Sequence, residues 1–281
     1  MVELTVLGDV LRSISVLYWL LALGVLALVL WKMKGRRAKS VSALAVVAVF
    51  GWLPANQAYE AQQRLNYSRE AWAYFKKLCD ERAGEKIYKT FAGVKSVLVI
   101  KPLPPATEKD LFDQYWYGDP YSDATPWSKR GISAATTLTL NSRRPDRIQK
   151  GFEFVEVKLE DHGPIQYKRI TRSTSLDKAA GVEDIARPLS KFGVSWEDIS
   201  TPGDRRYWVA GSRLRVIDLT DNSVLAERIG FFIEAGFGSK AGGRRPWLTS
   251  RGPRTTCPPL VGGDYSDQWF LTNVFKQDQE H

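Results

Sequence analysis

The segment Asp110–Trp127, DLFDQYWYGDPYSDATPW, concentrates the residues of this chain best suited to chemistry. Asp110, Asp113, Asp119 and Asp123 alternate there with Phe112, Tyr115, Trp116, Tyr117, Tyr121 and Trp127. Flat rings stack on sugar faces and carboxylates accept hydrogen bonds from hydroxyls. Asp113, Tyr115, Trp116, Asp119 and Trp127 are therefore a candidate ligand-binding set. Paired carboxylates also suit glycan hydrolysis, one as general acid and one as base or nucleophile. The competing reading makes the rings core and the acids a solvated fringe.

Other chemistry is sparse. The only histidines, His162 and His281, lie in a turn signal and at the last position. There is no H-x-x-x-H, C-x-x-C, G-x-S-x-G or Walker loop, so the sequence predicts no metal site, no cofactor and no assembled nucleophile. Gly236-Phe237-Gly238-Ser239-Lys240-Ala241 matches G-x-G-x-x-A after an expected strand. Dinucleotide binding, however, requires a helix to start there, and Gly242, Gly243 and Pro246 oppose one. Lys240, Arg244, Arg245, Arg251 and Arg254 follow with no acid near them in sequence. They are candidate contacts for lipid headgroups or another polyanion, or else a solvated basic loop.

Cys79 and Cys257 are the only cysteines. In an oxidising compartment they can form one bridge, closing a loop worth roughly 5 kcal/mol in the chain-entropy model. The alternative is one buried and one inert loop thiol. Neither has a histidine beside it to make a reactive thiolate.

These residues must be positioned by a chain that begins with two apolar runs. Ile14–Trp31 carries no charge and, as a helix, spans roughly 27 Å, close to a bilayer's hydrocarbon core. Lys32, Lys34, Arg36, Arg37 and Lys39 follow, and then Val41–Leu53, a shorter apolar run interrupted by Pro54, Asn56 and Gln57. The positive-inside rule puts the basic connector in the cytoplasm, and so both the N-terminus and everything past about residue 58 on the far side. A rival reading takes residues from Met33 as an export signal, though no small-x-small cleavage site follows. Both readings export the C-terminal part.

Residues 55–83 read as a helix leaving the membrane, with Ala61, Leu65, Ser68, Trp72, Phe75 and Cys79 on one inward stripe and Gly84 as its stop. Strands are expected at 94–101, 133–140, 151–160 and 165–171, with a turn at Asp161-His162-Gly163. A short helix is expected within 182–200. Residues 206–219 and 224–236 flank the turn TDNS and form the clearest hairpin. A Gly-, Pro- and Arg-rich loop covers 236–263, and YSDQWFLTNVF closes the chain as helix or strand. The expected fold class is α+β: a transmembrane hairpin and stalk helix, followed by an exported, mainly antiparallel-sheet domain. The expected boundaries are an anchor at 1–58 (helices about 14–31 and 41–55, basic loop 32–40), a stalk at 59–83 and a periplasmic domain at 84–281.

CDERAGEKIYKT (79–90) and RYWVAGSRLRVIDLTDNSVLAERIG (206–230) resemble segments of uncharacterised membrane-anchored proteins of Gram-negative proteobacteria. The resemblance implies a bacterial inner membrane and a periplasmic domain, and implies no chemistry. Hydrophobic content of 44% and aromatic content of 12% exclude a disordered chain, and a net charge of +9 is mild at this length. The functional expectation is a non-catalytic binding or scaffolding protein of the envelope. Its expected partners are the bilayer and another envelope protein or a glycan, not nucleic acid. A carboxylate-based cell-wall hydrolase and a membrane-surface sensor using the basic loop are the alternatives.

Overall fold

The computed structural model describes residues 2–101, 107–116, 136, 138–139, 142–144, 147–149, 151–159, 164–171, 181–249, 252, 254–259, 266–276 and 279–280. The chain divides into two compact units, Met1–Ser68 and Arg69–His281. Long apolar helices at the N-terminus precede a mainly β-sheet domain, a mixed α+β architecture. Asp119, Trp127, Arg251, the Asp161–Gly163 turn and both histidines lie outside the described residues.

In the first unit, α1 (Val2–Lys32) ends at a break in which Gly35 takes φ +96°, and α2 (Arg36–Arg82) begins. Both helices are long and apolar enough to cross a membrane. Their apolar side chains are largely uncovered, Leu17, Leu20, Leu21, Val47, Val49 and Trp52 among them. The helix that carries the second apolar run does not end at Pro54: one helix of 47 residues continues through it. Proline has no N–H, so the carbonyl of Phe50, four residues earlier, loses its intrahelical donor. The Tyr18 hydroxyl of α1 donates to that same carbonyl at 2.5 Å, and the Tyr18 and Phe50 rings lie 5.7 Å apart. A cross-helix hydrogen bond thus replaces the one that proline removes.

The second unit takes in the last turns of α2. Its strands are β1 (Gly84–Ile87), β2 (Ser96–Lys101), β3 (Ser142–Arg144), β4 (Arg147–Gln149), β5 (Phe154–Leu159), β6 (Gln166–Thr171), β7 (Gly181–Ile185), β8 (Phe192–Asp198), β9 (Val209–Asp218), β10 (Val224–Ile233), β11 (Thr256–Cys257) and β12 (Gln279–Glu280). Among the described residues it also has the short α-helices α3 (Pro202–Arg206), α4 (Pro246–Thr249) and α5 (Ser266–Phe275). The main sheet runs β1-β10-β9-β8-β2-β5-β6-β7, with β11 also on β10; β12-β4-β3 form a small second sheet.

The expected hairpins, 151–160 with 165–171 and 206–219 with 224–236, are present as the antiparallel pairs β5–β6 and β9–β10. At the centre the expectation of antiparallel pairing needs correction, because β2 is parallel to both β5 and β8. Parallel neighbours need long crossovers, and the chain supplies one between residues 101 and 154. Two further expectations are overturned. Of the described residues in 133–140, Thr136 is helical and Leu138 and Thr139 are in a turn; the Thr139 N–H and hydroxyl both bond to the Thr136 carbonyl, a local bond that competes with extended structure. Residues 192–198 are a strand where a short helix around LSKFGV and WEDI was expected, and 181–185 form a further strand. Gly193 weakens a helix, while Val194 and Trp196 alternate into the core.

α5 lays Phe270, Leu271, Val274 and Phe275 on Val97, Val99, Val155, Val157, Val194, Leu214 and Val216. Arg228 of β10, only 1% exposed at its side chain, pairs with Asp267 of α5, and Trp196 Nε1 donates to the same carboxylate at 2.8 Å. Elsewhere Ala71, Phe75 and Leu78 of α2 pack with Val209, Phe231 and Ile233. The inward stripe holds only in these last turns, since Leu65 is 54% exposed. Cys79 is bonded to Cys257 of β11, with Cα atoms 5.7 Å apart.

Three stability outcomes follow. Replacing both cysteines by alanine should cost about 2–5 kcal/mol in chemical denaturation, and a reductant should destabilise wild type by the same amount. Arg228→Met should cost about 3–5 kcal/mol by stranding the Asp267 carboxylate, and Arg228→Met/Asp267→Asn should recover most of it. In detergent, Tyr18→Phe should weaken the helical pair by about 1 kcal/mol, and by much less in a Pro54→Ala background where the carbonyl regains its own donor.

Candidate functional site

The aromatic, acidic segment and the basic loop, separate in sequence, meet on the surface of the sheet domain. The segment starts with a one-turn 3-10 helix, Asp110–Phe112, whose Asp110 carboxylate accepts from the Thr107 N–H at 2.8 Å and hydroxyl at 2.7 Å. These bonds hold the Asp110 carboxyl below its ordinary range, with Lys109 adding a smaller favourable charge. Such a group is ionised at neutral pH and is not a proton donor.

Asp113 turns the chain: its carboxylate accepts from Tyr115 N–H at 2.9 Å, and its carbonyl accepts from Trp247 Nε1 at 2.7 Å. Gln114 Nε2 donates to the carbonyls of Arg205 and Arg206, each at 2.9 Å. Tyr115 is left 56% exposed, with Trp116 half-buried beside it. Of the five residues expected to bind a ligand, Asp113, Tyr115 and Trp116 therefore sit together around an exposed carboxylate.

The platform beneath them is rigid for identifiable reasons. Trp247 is fully buried, stacked 5.3 Å from Trp208, with the Arg205 guanidinium 5.1 Å from its ring. Arg205 pairs with Asp198 at 2.6 Å. Trp208 follows α3 at φ +56°, a left-handed conformation that costs a bulky residue about 1–2 kcal/mol. Contact with Trp247 and with Gly238 holds it there. α3 itself opens with a capping box between Thr201 and Asp204. The buried Asp204 carboxylate also accepts from Tyr74 of α2 at 2.6 Å. Burial, the hydrogen bond to Asp204 and the Asp204 charge push the Tyr74 hydroxyl up to about 12.

The basic loop has partners that sequence proximity did not reveal. Glu234, fully buried just past β10, accepts from the N–H of Gly236 at 3.0 Å, the N–H of Gly238 at 2.8 Å and Arg244 Nη2 at 2.5 Å. The G-x-G look-alike is thus an anion-holding turn already filled by the protein's own carboxylate. Gly238 takes φ +76° and a Cβ there would lie 2.3 Å from the Trp208 ring, so a glycine is required; a Cβ on Gly236 would lie 2.6 Å from the Arg244 guanidinium, which would have to move. Arg245 reaches Glu108 at 2.8 Å, and Lys240 lies 4.9 Å from the Phe112 ring centre. The expectation that Arg244 and Arg245 are open to a polyanion is thereby weakened, because Glu234 and Glu108 already meet them.

No protein-family model, curated protein or solved structure matches this chain. The surface has to be interpreted from its own residues. Trp247, expected beside Arg244 and Arg245 as a contact for lipid headgroups or phosphates, is instead fully buried; Arg205, Glu234 and Tyr74 were not singled out from sequence, and the one available signal was Glu234, an acid at the end of the apolar run GFFIEAG.

Two outcomes check this geometry. Tyr74 raises stability at pH values below its unfolded-state ionisation near 10, and the contribution is lost as pH rises through about 12. The difference in stability between wild type and Tyr74→Phe should therefore shrink across that window in alkaline denaturation. Glu234→Gln should cost more stability than Arg244→Gln, because the carboxylate, not the half-exposed guanidinium, satisfies both glycine N–H groups.

Proposed function

We propose that this chain is a membrane-anchored binding or scaffolding protein of the bacterial envelope. Its helical hairpin lies in the inner membrane, its basic connector in the cytoplasm, and both termini and the sheet domain in the periplasm. Two apolar helices with uncovered side chains support an anchor, and the Cys79–Cys257 bridge supports an oxidising compartment. The cations at 32–39 support the orientation.

The observation that carries the binding role is the surface formed by Asp113, Tyr115 and Trp116 on the Trp247 platform. Its aromatic groups are presented outward while the polar groups beneath are committed to holding them. Asp110 is held ionised and Asp113 closes its own turn. Both features favour recognition over the proton donation that hydrolysis needs. With Arg244 and Arg245 engaged, a membrane-surface sensor built on the loop is the weaker reading.

Orientation is tested by fusing alkaline phosphatase or a cytosol-only fluorescent protein to the C-terminus of the full chain. Active phosphatase with a dark fluorophore is expected; the reverse pattern refutes export. For binding, a photo-crosslinking residue at Tyr115 should give a discrete adduct in cells that a Trp116→Ala change diminishes. Yields no higher than from the exposed position Leu189 would count against this surface.

A further inference from the structure

In the sheet domain, arginines meet carboxylates: Arg169 pairs with Glu156 and Glu183, Arg205 with Asp198, Arg213 and Arg215 with Glu227, and Arg228 with Asp267. The connector between α1 and α2 is the opposite case. Lys32, Lys34, Arg36, Arg37 and Lys39 are all exposed, and no acid occurs anywhere between Ser13 and Tyr59. Glu60, the first acid beyond them on α2, lies about six helical turns past Lys39 and is already met by Arg64 and Asn56. Like charges crowded into so short a stretch repel one another, so the cluster calls for anions from outside the chain.

The flanks of the cluster select the anion. Only Met33, Lys34 and Gly35 separate the helices, Lys32 being the last residue of α1 and Arg36 the first of α2. Leu28, Leu30 and Trp31 are uncovered before the connector, Trp31 at 86%, and Val41 and Leu44 are uncovered after it. Lys32 adjoins Trp31 and Lys39 stands two residues before Val41, so the charges begin within one turn of bare apolar surface at each end. A ligand that fits must be negative where it meets the connector and apolar where it meets the helices. Soluble phosphate and nucleic acid meet the first condition and not the second. A phospholipid with a net-negative headgroup meets both. The aliphatic stems of Lys and Arg can lie along its acyl boundary while their charged ends reach the phosphate.

We infer that the connector is a docking site for anionic phospholipid, its cations gripping headgroup phosphates while the acyl chains cover the neighbouring turns of α1 and α2. The inference rests on the reading of these helices as a membrane anchor, and it holds whichever leaflet the connector faces. The test is native mass spectrometry of the full chain in detergent, offered equal phosphatidylglycerol and phosphatidylcholine. Phosphatidylglycerol should be retained in severalfold excess. Lys34→Gln/Arg36→Gln/Arg37→Gln should abolish that excess, each cation contributing roughly fivefold at low salt. Arg36→Lys/Arg37→Lys, which keeps the charge, should retain it. So should Lys76→Gln/Lys77→Gln/Lys86→Gln, which removes the same charge from exposed positions of the sheet domain. Equal retention of the two lipids by wild type, or an equal loss in the two triple variants, overturns the headgroup site and leaves the anchor standing. Retention of neither lipid refutes the anchor and the site together. Excess inorganic phosphate at matched ionic strength should leave the lipid in place; displacement would mark a general phosphate site and overturn lipid docking.

Discussion

The bridge between Cys79 and Cys257 is the constraint on which the sheet domain rests. It joins the last turns of α2 to β11, the short strand on β10, and encloses everything between them in one covalent loop. Around it lie Ala71, Phe75 and Leu78, packed with Val209, Phe231 and Ile233. Much of the order-promoting work is thereby done on the unfolded chain, whose freedom the loop restricts. Within that loop, long crossovers can close a sheet whose central strand β2 has parallel neighbours on both sides.

Satisfaction of buried polar groups shapes the remainder. A carbonyl orphaned by Pro54 is met by Tyr18, and this single bond fixes which turns of α1 and α2 face each other. Glu156, fully buried on β5, is met by Arg169 and by the N–H groups of Leu189 and Ser190, which secures the segment between β7 and β8. Glu234 is met by Gly236, Gly238 and Arg244, and this secures the loop behind the candidate surface. In each case a group costly to bury alone organises a stretch of irregular backbone.

Sequence periodicity revealed the features with local causes. The two apolar helices, the hairpin around TDNS, the Phe154–Thr171 pair and the cysteine pairing were all readable, because each follows from hydrophobic pattern, turn chemistry or residue count. Strands 181–185 and 192–198 were missed because Gly193 and charged Glu183, Asp184 and Glu197 mask their alternation; sheet neighbours, not local preference, make them strands. Of the candidate surface, Asp113, Tyr115 and Trp116 were legible from composition alone. Trp247, Arg205 and Glu234 were not, since their roles depend on contacts across distant parts of the chain. The same limit applies to the basic loop, where Glu234 and Glu108 become visible only in three dimensions.

On the proposed function, the apolar helices, the bridged sheet domain and the outward aromatic surface belong to a protein that holds something at the membrane, on the oxidising side. Mass-tagging of thiols in protein quenched and denatured directly from intact Gram-negative cells tests that account most directly. It predicts that a polyethylene-glycol maleimide adds nothing until a reductant is present, and then adds two tags, one each at Cys79 and Cys257. Full double tagging without reductant would mean that the bridge does not form in cells, and would contradict both the covalent frame of the domain and its export.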